Sequence, residues 1–200
     1  MARQRLQADE SKSFILSQAR TLFIKNGYKG TTMDGLCEIT NLSKGNLYHH
    51  FKNKEDIFLQ LLEDYVEQLS LKWDSAEYQS LSPAHQLLTL ADLFGRECEN
   101  PLLTVAEEYF KTLPEDSPKT LKVAESLELI PNSINEAVQK GVDQQLFTGT
   151  DAESLSFAIL SMLVGATQLC LAMPNLSSDQ YASMHVNAIE LLLSGIAAGK

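Results

Sequence analysis

Residues 31–51 read TTMDGLCEITNLSKGNLYHHF, and this stretch predicts two short helices joined by a tight turn. Thr31 or Thr32 can cap a first helix of roughly residues 33–40, and Ser43 can cap a second one. Asn41 falls between them and is one of the few non-glycine residues that tolerate a positive φ. The pattern is typical of a helix-turn-helix, which lays its second helix in the major groove of DNA.

The flanking segments predict one more helix on each side. Residues 11–26 form the first, with Gly27 behind it as a left-handed C-terminal cap. Asn53 caps a long fourth helix from about residue 54 to beyond Trp73. The first helix has a core face whose residues recur at helical spacing: Ile15, Ala19, Leu22 and Phe23.

The rest of the chain is also helical in pattern. Three pairs join a capping residue to a proline at the first helical position: Ser82-Pro83, Asn100-Pro101 and Ser117-Pro118. Pro131 is expected to kink or break a helix that runs toward Gly141. Helices of about residues 151–173 and 178–198 complete the chain.

These elements predict an all-α protein of about nine helices. Residues 1–53 are expected to form a three-helix helix-turn-helix DNA-binding domain. Residues 54–200 are expected to form a larger helical domain for regulation and dimerisation.

The charge is divided between these two parts. The whole chain carries −10. Residues 1–54 hold nine Lys and Arg against four Asp and Glu, a balance of +5, whereas the remainder holds seven against 22, a balance of −15. Attraction to phosphate needs a basic face rather than a basic protein, so the N-terminal part is the expected DNA partner.

Composition limits the other classes. The three cysteines, Cys37, Cys98 and Cys170, lack any C-x-x-C pairing, which predicts a reducing cytoplasm with neither a disulfide framework nor a zinc site. Residues 1–10 are charged and have no apolar core, so no signal peptide is expected there. Residues 155–173 are uncharged and nearly long enough to span a bilayer, but polar residues interrupt them. We interpret them as a helix buried in the protein or between subunits, with no membrane partner.

Three groups of residues carry a family resemblance: Ala19-x-x-Leu22-Phe23; Gly27-Tyr28 with Thr31-Thr32; and Leu42-Ser43-Lys44-Gly45-x-Leu47-Tyr48-x-His50-Phe51-x-x-Lys54-Glu55. With them, residues 15–62 resemble the N-terminal domain of the tetracycline-repressor (TetR) family of bacterial regulators. Cys37 stands where that family usually has Ala, and Asn41 where it often has Gly. Both substitutes fit physically.

The resemblance implies a set of DNA-binding residues: Thr32, Ser43, Lys44, Gly45, Asn46, Tyr48, His49, His50 and Lys54. Lys44 and Asn46 have the donors to read guanine and adenine edges, and Gly45 permits close approach. Thr32 and Lys54 are expected to hold phosphates. Ser43 has a second interpretation as a helix cap only, and His50 and Tyr48 have one as packed residues.

A helix-turn-helix reads only a few base pairs, so a two-fold dimer on a palindromic operator is expected. The last two helices are the predicted interface, because their apolar residues are too many to face water: Leu155, Ile159, Met162, Leu163, Ala166, Leu169, Met184, Ala188, Leu191, Leu192 and Ile196. The alternative is that these faces only fill the core of one subunit.

The resemblance also implies a small-molecule effector in the C-terminal domain, whose binding releases DNA and so relieves repression. The candidate pocket residues are Trp73, Phe94, Cys98, Tyr109, Phe110, Met162 and Gln168. Each has an alternative interpretation as core, and Cys98 or Cys170 has a further one as a sensor of oxidants. A second functional hypothesis keeps the fold and DNA binding but gives the body a protein partner.

Catalysis is not expected. The chain has no glycine-rich phosphate loop, no H-E-x-x-H helix and no G-x-S-x-G elbow. The adjacent His49 and His50 diverge by about 100° on a helix and have no third ligand, so no metal site is predicted there. No cofactor is predicted.

Overall fold

A computed structural model describes residues 2–114, 129–173 and 176–196. The side chains of residues 2–9, 129, 130, 171 and 196 fall outside that description. These ranges contain ten α-helices and no β-strand, which confirms the predicted all-α class. The helices are α1 (Ala2–Gly30), α2 (Met33–Thr40), α3 (Lys44–His50), α4 (Lys54–Trp73), α5 (Ala76–Gln79), α6 (Pro83–Arg96), α7 (Pro101–Phe110), α8 (Leu129–Asp143), α9 (Ala152–Leu171) and α10 (Ser178–Ile196).

Local capping explains most helix starts. The Asn53 side chain accepts a hydrogen bond from the backbone N–H of Asp56 at 2.8 Å, at the start of α4. Ser82 caps α6, and Asp151 caps α9 through the N–H of Ser154. α7 begins at Pro101. The predicted starts at residues 54, 83 and 101 are therefore confirmed, because each depends only on neighbouring residues.

Three predictions about helix bounds need comment. Pro131 lies in the first turn of α8 and does not kink it, because the first N–H groups of a helix have no partner to lose. The pair Ser117-Pro118 lies outside the described residues. α1 begins at Ala2 rather than near residue 11. Gly27 interrupts its helical geometry with φ 72° and ψ 175°, so its φ is positive as predicted, but its ψ is that of extended backbone rather than of a left-handed cap.

The described residues form two compact units. The first takes in residues 2–68 and 101–114, and the second takes in residues 69–100, 129–173 and 176–196. The change of unit falls within α4, and α7 belongs to the first unit. The functional boundary predicted between residues 53 and 54 stays a prediction.

The first unit is built on aromatic residues from α1, α4 and α7. The rings of Tyr28 and Tyr109 are 4.7 Å apart between centroids, and that of Phe58 is 5.0 Å from Phe23. Leu36 of α2 and Leu47 of α3 are fully buried in the same cluster. The helix-turn-helix therefore rests on a core shared with α7.

In the second unit, α6 packs along α10, and α8 packs against α6 and α9. Gly95 of α6 lies so close to α10 that a β-carbon there would overlap the backbone of Tyr181 and Ala182. Gly141 of α8 has the same role against the ring of Phe147. Two glycines thus set the close approach of these elements.

Residues Ala152–Cys170 of α9 are long and apolar enough to cross a bilayer by length and composition alone. The face with Leu155, Ile159 and Leu163 is buried inside the second unit. A core helix of a soluble protein has this same composition, so α9 is not evidence of a membrane protein.

Candidate DNA-binding site

The turn between α2 and α3 has the geometry expected of a helix-turn-helix. Asn41 adopts φ 55° and ψ 31°, and its N–H bonds to the carbonyls of Cys37 and Glu38. The N–H of Leu42 also bonds to Cys37, at 3.2 Å. Asparagine tolerates this left-handed conformation, so the chain reverses direction without a glycine.

One face of α3 is anchored and the other is open. Leu47 is fully buried, and Phe51 directly after the helix is 3% exposed. Gly45 has no neighbouring atom within 4 Å of a β-carbon position. The exposed side chains of this helix are those of Lys44, Asn46, Tyr48 and His49, and His50 is half-buried. Five of the predicted DNA-binding residues therefore share one uncovered surface.

Two hydroxyls cap the helices of the motif. The Thr32 Oγ1 accepts from the N–H of Gly35 at 3.1 Å, and the Ser43 Oγ accepts from that of Asn46 at 3.2 Å. Both residues are exposed. Each cap uses a lone pair and leaves the hydroxyl proton for another acceptor, such as a phosphate oxygen. The cap interpretation of Ser43 is thus correct, and it is compatible with a DNA contact.

Lys44 has a partner that the sequence did not indicate. Its Nζ lies 2.6 Å from the Oδ1 of Asp34 in the first turn of α2, and both side chains are exposed. This hydrogen bond to Asp34 raises the pKa of Lys44. A surface ion pair of this kind contributes little to stability, but it restricts where the ammonium group points.

Lys54 has partners inside the protein, and the phosphate contact implied by the resemblance stays a prediction. Its Nζ donates to the carbonyls of Tyr28 at 2.8 Å and Thr31 at 2.9 Å, and it lies 4.5 Å from the centre of the Tyr28 ring. Burial lowers its pKa. The ammonium group therefore caps the last carbonyls of α1, and its donors are committed inside the protein.

Glu108 of α7 completes the same corner and was missed by sequence reasoning. Its carboxylate accepts hydrogen bonds from the backbone N–H groups of Tyr28 at 2.7 Å and Lys29 at 3.1 Å. These bonds, together with the charges of Lys29 and Lys54, hold the pKa of Glu108 below its ordinary value. Gly27 is required here twice, because its φ is positive and because a β-carbon would meet the Glu108 carboxylate.

We expect Glu108→Gln to destabilise the chain at neutral pH and to change its acid response. The lowered pKa means that ionised Glu108 contributes stability above its unfolded pKa near 4.5, and that this contribution is lost as pH falls through the folded pKa. The difference in urea midpoint between wild type and variant should therefore shrink below about pH 4.5. Glu107→Gln, which removes only an exposed pair with Lys111, is the control. An equal difference at all pH values would contradict the role of the carboxylate.

His49 and His50 are neighbours in α3. Their ring centroids are 5.3 Å apart with an edge-to-face orientation. Within residues 2–114, 129–173 and 176–196, no group of three or more His, Cys, Asp or Glu is placed to hold a metal ion.

The predicted pocket residues are divided between the two units. Tyr109 and Phe110 pack in the core of the first unit, where the Tyr109 hydroxyl donates to Glu55 at 2.9 Å. In the second unit Trp73 is buried, Gln168 is exposed, and Phe94, Cys98 and Met162 are half-buried. An open groove of about 210 Å³ in that unit is lined by none of the seven: its residues are Pro131, Ile134, Asn135, Glu153, Ser156, Phe157 and Leu160. Helical spacing of aromatic residues therefore indicated core in the case of Tyr109 and Phe110.

The predicted interface divides into two sets. Leu155, Ile159 and Leu163 are buried in the core of the second unit, which corrects their assignment to a partner surface. The side chains of Leu169, Met184 and Leu191 are exposed. Four others are half-buried: Met162, Ala166, Ala188 and Leu192. The side chain of Ile196 lies outside the described residues.

Two large apolar residues of α9 were missed. Phe157 is 73% exposed and Val164 is 48% exposed. They lie seven positions apart, on the side of α9 opposite Leu155, Ile159 and Leu163. Leu191 of α10 is exposed as well, at 74%, so large apolar side chains on both helices are left uncovered in one chain. We call Phe157, Val164, Leu169, Met184 and Leu191 the α9–α10 face.

Comparison with known proteins agrees with this description. Residues 15–61 match the family model for bacterial regulatory proteins of the tetR family. The chain is 33% identical over 106 residues to the HTH-type transcriptional regulator QacR of Staphylococcus aureus, and it is 42% identical over 53 residues to the biofilm operon negative transcriptional regulator IcaR of Staphylococcus epidermidis. These matches cover 50% and 26% of this chain, and 56% and 29% of those proteins.

The fold extends the likeness beyond the matched segment. The crystal structure of the regulator FadR from Bacillus subtilis, in complex with stearoyl-CoA, superposes with a TM-score of 0.73 at 18% identity. That match covers 92% of this chain and 98% of the other. QacR and IcaR are named as transcriptional regulators rather than enzymes. The helix-turn-helix geometry and the matched family model agree that residues 15–61 form the N-terminal domain of the tetR family of bacterial regulatory proteins, and the described chain shares the fold of solved TetR-family regulators.

Proposed function

We propose that this chain is a homodimeric repressor that binds a palindromic operator and releases it when a small molecule binds the C-terminal domain. The observation that carries the DNA-binding part is the uncovered surface of α3. Its side chains are exposed while Leu47 holds the helix in place. Recognition helices of this kind read base edges with their N-terminal residues, which here are Lys44, Gly45 and Asn46.

Charge favours this end of the chain as the DNA partner. Residues 1–54 carry +5 and the remainder carries −15. An acidic body is repelled by DNA, so the electrostatic field favours approach through the basic end. A DNA partner also requires the protein to act in the cytoplasm.

Dimerisation is supported by the α9–α10 face. Exposed Phe157 and Leu191 are large apolar residues on neighbouring helices of one unit. Two copies related by a two-fold axis would cover this face with itself and form a four-helix bundle. Such a dimer presents two α3 helices to two half-sites. Repression is proposed because the relative IcaR is a negative transcriptional regulator.

Release by a small molecule is supported by the family and by its fold neighbour with stearoyl-CoA. The ligand must bind the non-binding conformation more tightly than the DNA-binding one. The −15 balance of residues 55–200 favours a neutral or cationic effector for this chain.

Selection of bound duplexes from a random pool tests the DNA-binding proposal most directly. We expect an enriched palindrome whose half-sites lie about one helical turn, roughly 10 base pairs, apart. Binding should weaken steeply with salt, because Lys and Arg release counterions from the phosphates. No enrichment of any sequence at low salt would contradict DNA recognition.

A thermal-shift screen of small molecules, followed by a test for DNA release, separates an effector from a protein partner of the body.

Asn46→Ala is expected to relax base preference at one position in each half-site. The side chain is exposed, and the cap bond to Ser43 uses only the backbone N–H, so the fold should be kept. Loss of a two-pronged contact to adenine should cost about 1–3 kcal/mol on the preferred sequence, roughly a 5- to 150-fold rise in Kd. Mobility shift on single-base operator variants measures this, with Asn26→Ala as the control. An equal loss on every duplex would rule out base reading by Asn46.

A further inference from the structure

Two cysteines that are distant in sequence meet in the second unit. Cys98 follows the end of α6, and its Sγ lies 3.7 Å from the carbonyl oxygen of Thr167 in α9. Thr167 is one turn before Cys170, so the Cys98 thiol lies against the turn of α9 that carries Cys170. Both sulfurs therefore lie against the last turn of α9.

The two thiols differ in access. Cys98 is half-buried, whereas Cys170 is 1% exposed. A dissolved reagent can therefore reach Cys98 first, and Cys170 can react only with a group already held beside it. In access, though not in acidity, the two thiols resemble an attacking cysteine and a resolving cysteine.

Thr167, which the Cys98 thiol contacts, belongs to a hydrogen-bond network between α9 and α10. Thr167 Oγ1 lies 3.0 Å from Nε2 of the fully buried His185, whose Nδ1 lies 2.8 Å from the carbonyl oxygen of Tyr181. The Tyr181 hydroxyl donates to Glu99 at 3.2 Å. Burial raises the pKa of both thiols, and the negative charge of Glu99 raises that of Cys98 further. At neutral pH both sulfurs are therefore mostly protonated.

We propose that Cys98 and Cys170 are an oxidative modification site that closes into a disulfide within one chain when a hydroperoxide reacts at Cys98. The Cys98 thiolate attacks the peroxide oxygen, which forms a sulfenic acid and releases water or an alcohol. The Cys170 sulfur then attacks the sulfenic sulfur, forms the S–S bond and expels the oxygen as water. The two thiols lose two electrons and two protons, and the hydroperoxide is reduced.

The bond would join two elements that bear on the α9–α10 face. Cys98 is attached to α6, and Cys170 is next to the exposed Leu169. Closure to an S–S bond of about 2 Å draws the end of α6 toward the last turn of α9. The competing interpretation is that both thiols only fill space as small apolar groups.

The test begins with the reduced, folded protein and a titration of hydrogen peroxide. We expect the intact mass to fall by two hydrogens, about 2 Da, and peptide mapping to link Cys98 with Cys170. Cys37→Ser should behave as the wild type, whereas Cys98→Ser and Cys170→Ala should not lose the two hydrogens. The reaction should be about tenfold or more faster near pH 9 than near pH 7, since the thiolate is the reacting species.

Phenylarsine oxide, which bridges two adjacent thiols, provides a second measurement without oxidation. One molecule should bind per folded chain in wild type and Cys37→Ser, and none in Cys98→Ser, with circular dichroism showing that each variant is folded. Oxygen addition at Cys98 without a cross-link, or a cross-link through Cys37, would overturn the proposal. So would the absence of arsenical bridging in the wild type.

Discussion

Replacing Leu191 with glutamate is expected to make the protein monomeric and to weaken operator binding more than a hundredfold, with the chain still folded. Leu191 is 74% exposed in one chain, so the substitution removes little of the monomer core. In the proposed dimer it would bury an unpaired carboxylate on each side of the two-fold axis. Breaking the charge balance of a buried site costs about 3–5 kcal/mol, which exceeds what a few lost contacts would cost.

Light scattering during size-exclusion chromatography measures the mass of this variant, and mobility shift measures its affinity. Leu71→Glu is a matched control, because Leu71 is also an exposed leucine, at 66%, but lies on α4. It should remain dimeric and bind DNA as the wild type does. If Leu191→Glu also remained dimeric, the interface would lie elsewhere than the α9–α10 face.

The second large effect is expected for Gly95→Ala. A β-carbon at Gly95 would overlap backbone atoms of Tyr181 and Ala182, which a rotamer change cannot move. Helices α6 and α10 must therefore separate, and overpacking of this kind costs about 1–3 kcal/mol. The upper end is expected here because α10 runs along α6 for much of its length and also carries Met184 and Leu191 of the α9–α10 face.

Urea unfolding monitored by circular dichroism provides the comparison. Gly195→Ala is the control, since Gly195 lies on α10 and a β-carbon there meets no atom within 4 Å. Alanine is a better helix former than glycine by about 1 kcal/mol, so this control should be neutral or slightly more stable. Equal stability of Gly95→Ala and wild type would show that the two helices are not held at this distance.

The helix-turn-helix was predictable because its signals are local. Thr32, Ser43 and Asn53 accept bonds from N–H groups three residues ahead, and Asn41 turns the chain by its own φ. Leu47 is buried, as its spacing in α3 predicted. Each of these facts depends on residues within one helical turn, which is the range over which sequence patterns are informative.

The positions of charged groups were not predictable in the same way. Lys54 caps the carbonyl of Tyr28, which is 26 residues away, and Glu108 binds N–H groups 79 and 80 residues away. Asp34 and Lys44 are brought together by the angle between α2 and α3. The sequence suggested a phosphate contact for Lys54, because a basic residue at a helix start often binds one. In the folded chain the same ammonium group donates to carbonyl oxygens at the end of α1.

The buried and exposed sides of α9 could not be predicted, for a different reason. This helix is apolar on nearly every side, so its periodicity cannot tell Leu155, which is buried in the unit, from Phe157, which is exposed. Local patterns of caps, turns and helical spacing were enough to define an all-α chain with a DNA-reading motif near its start. Which apolar side of α9 is buried, and that Cys98 lies against the turn of α9 that carries Cys170, followed only from how the helices pack, because packing joins residues that no short pattern relates.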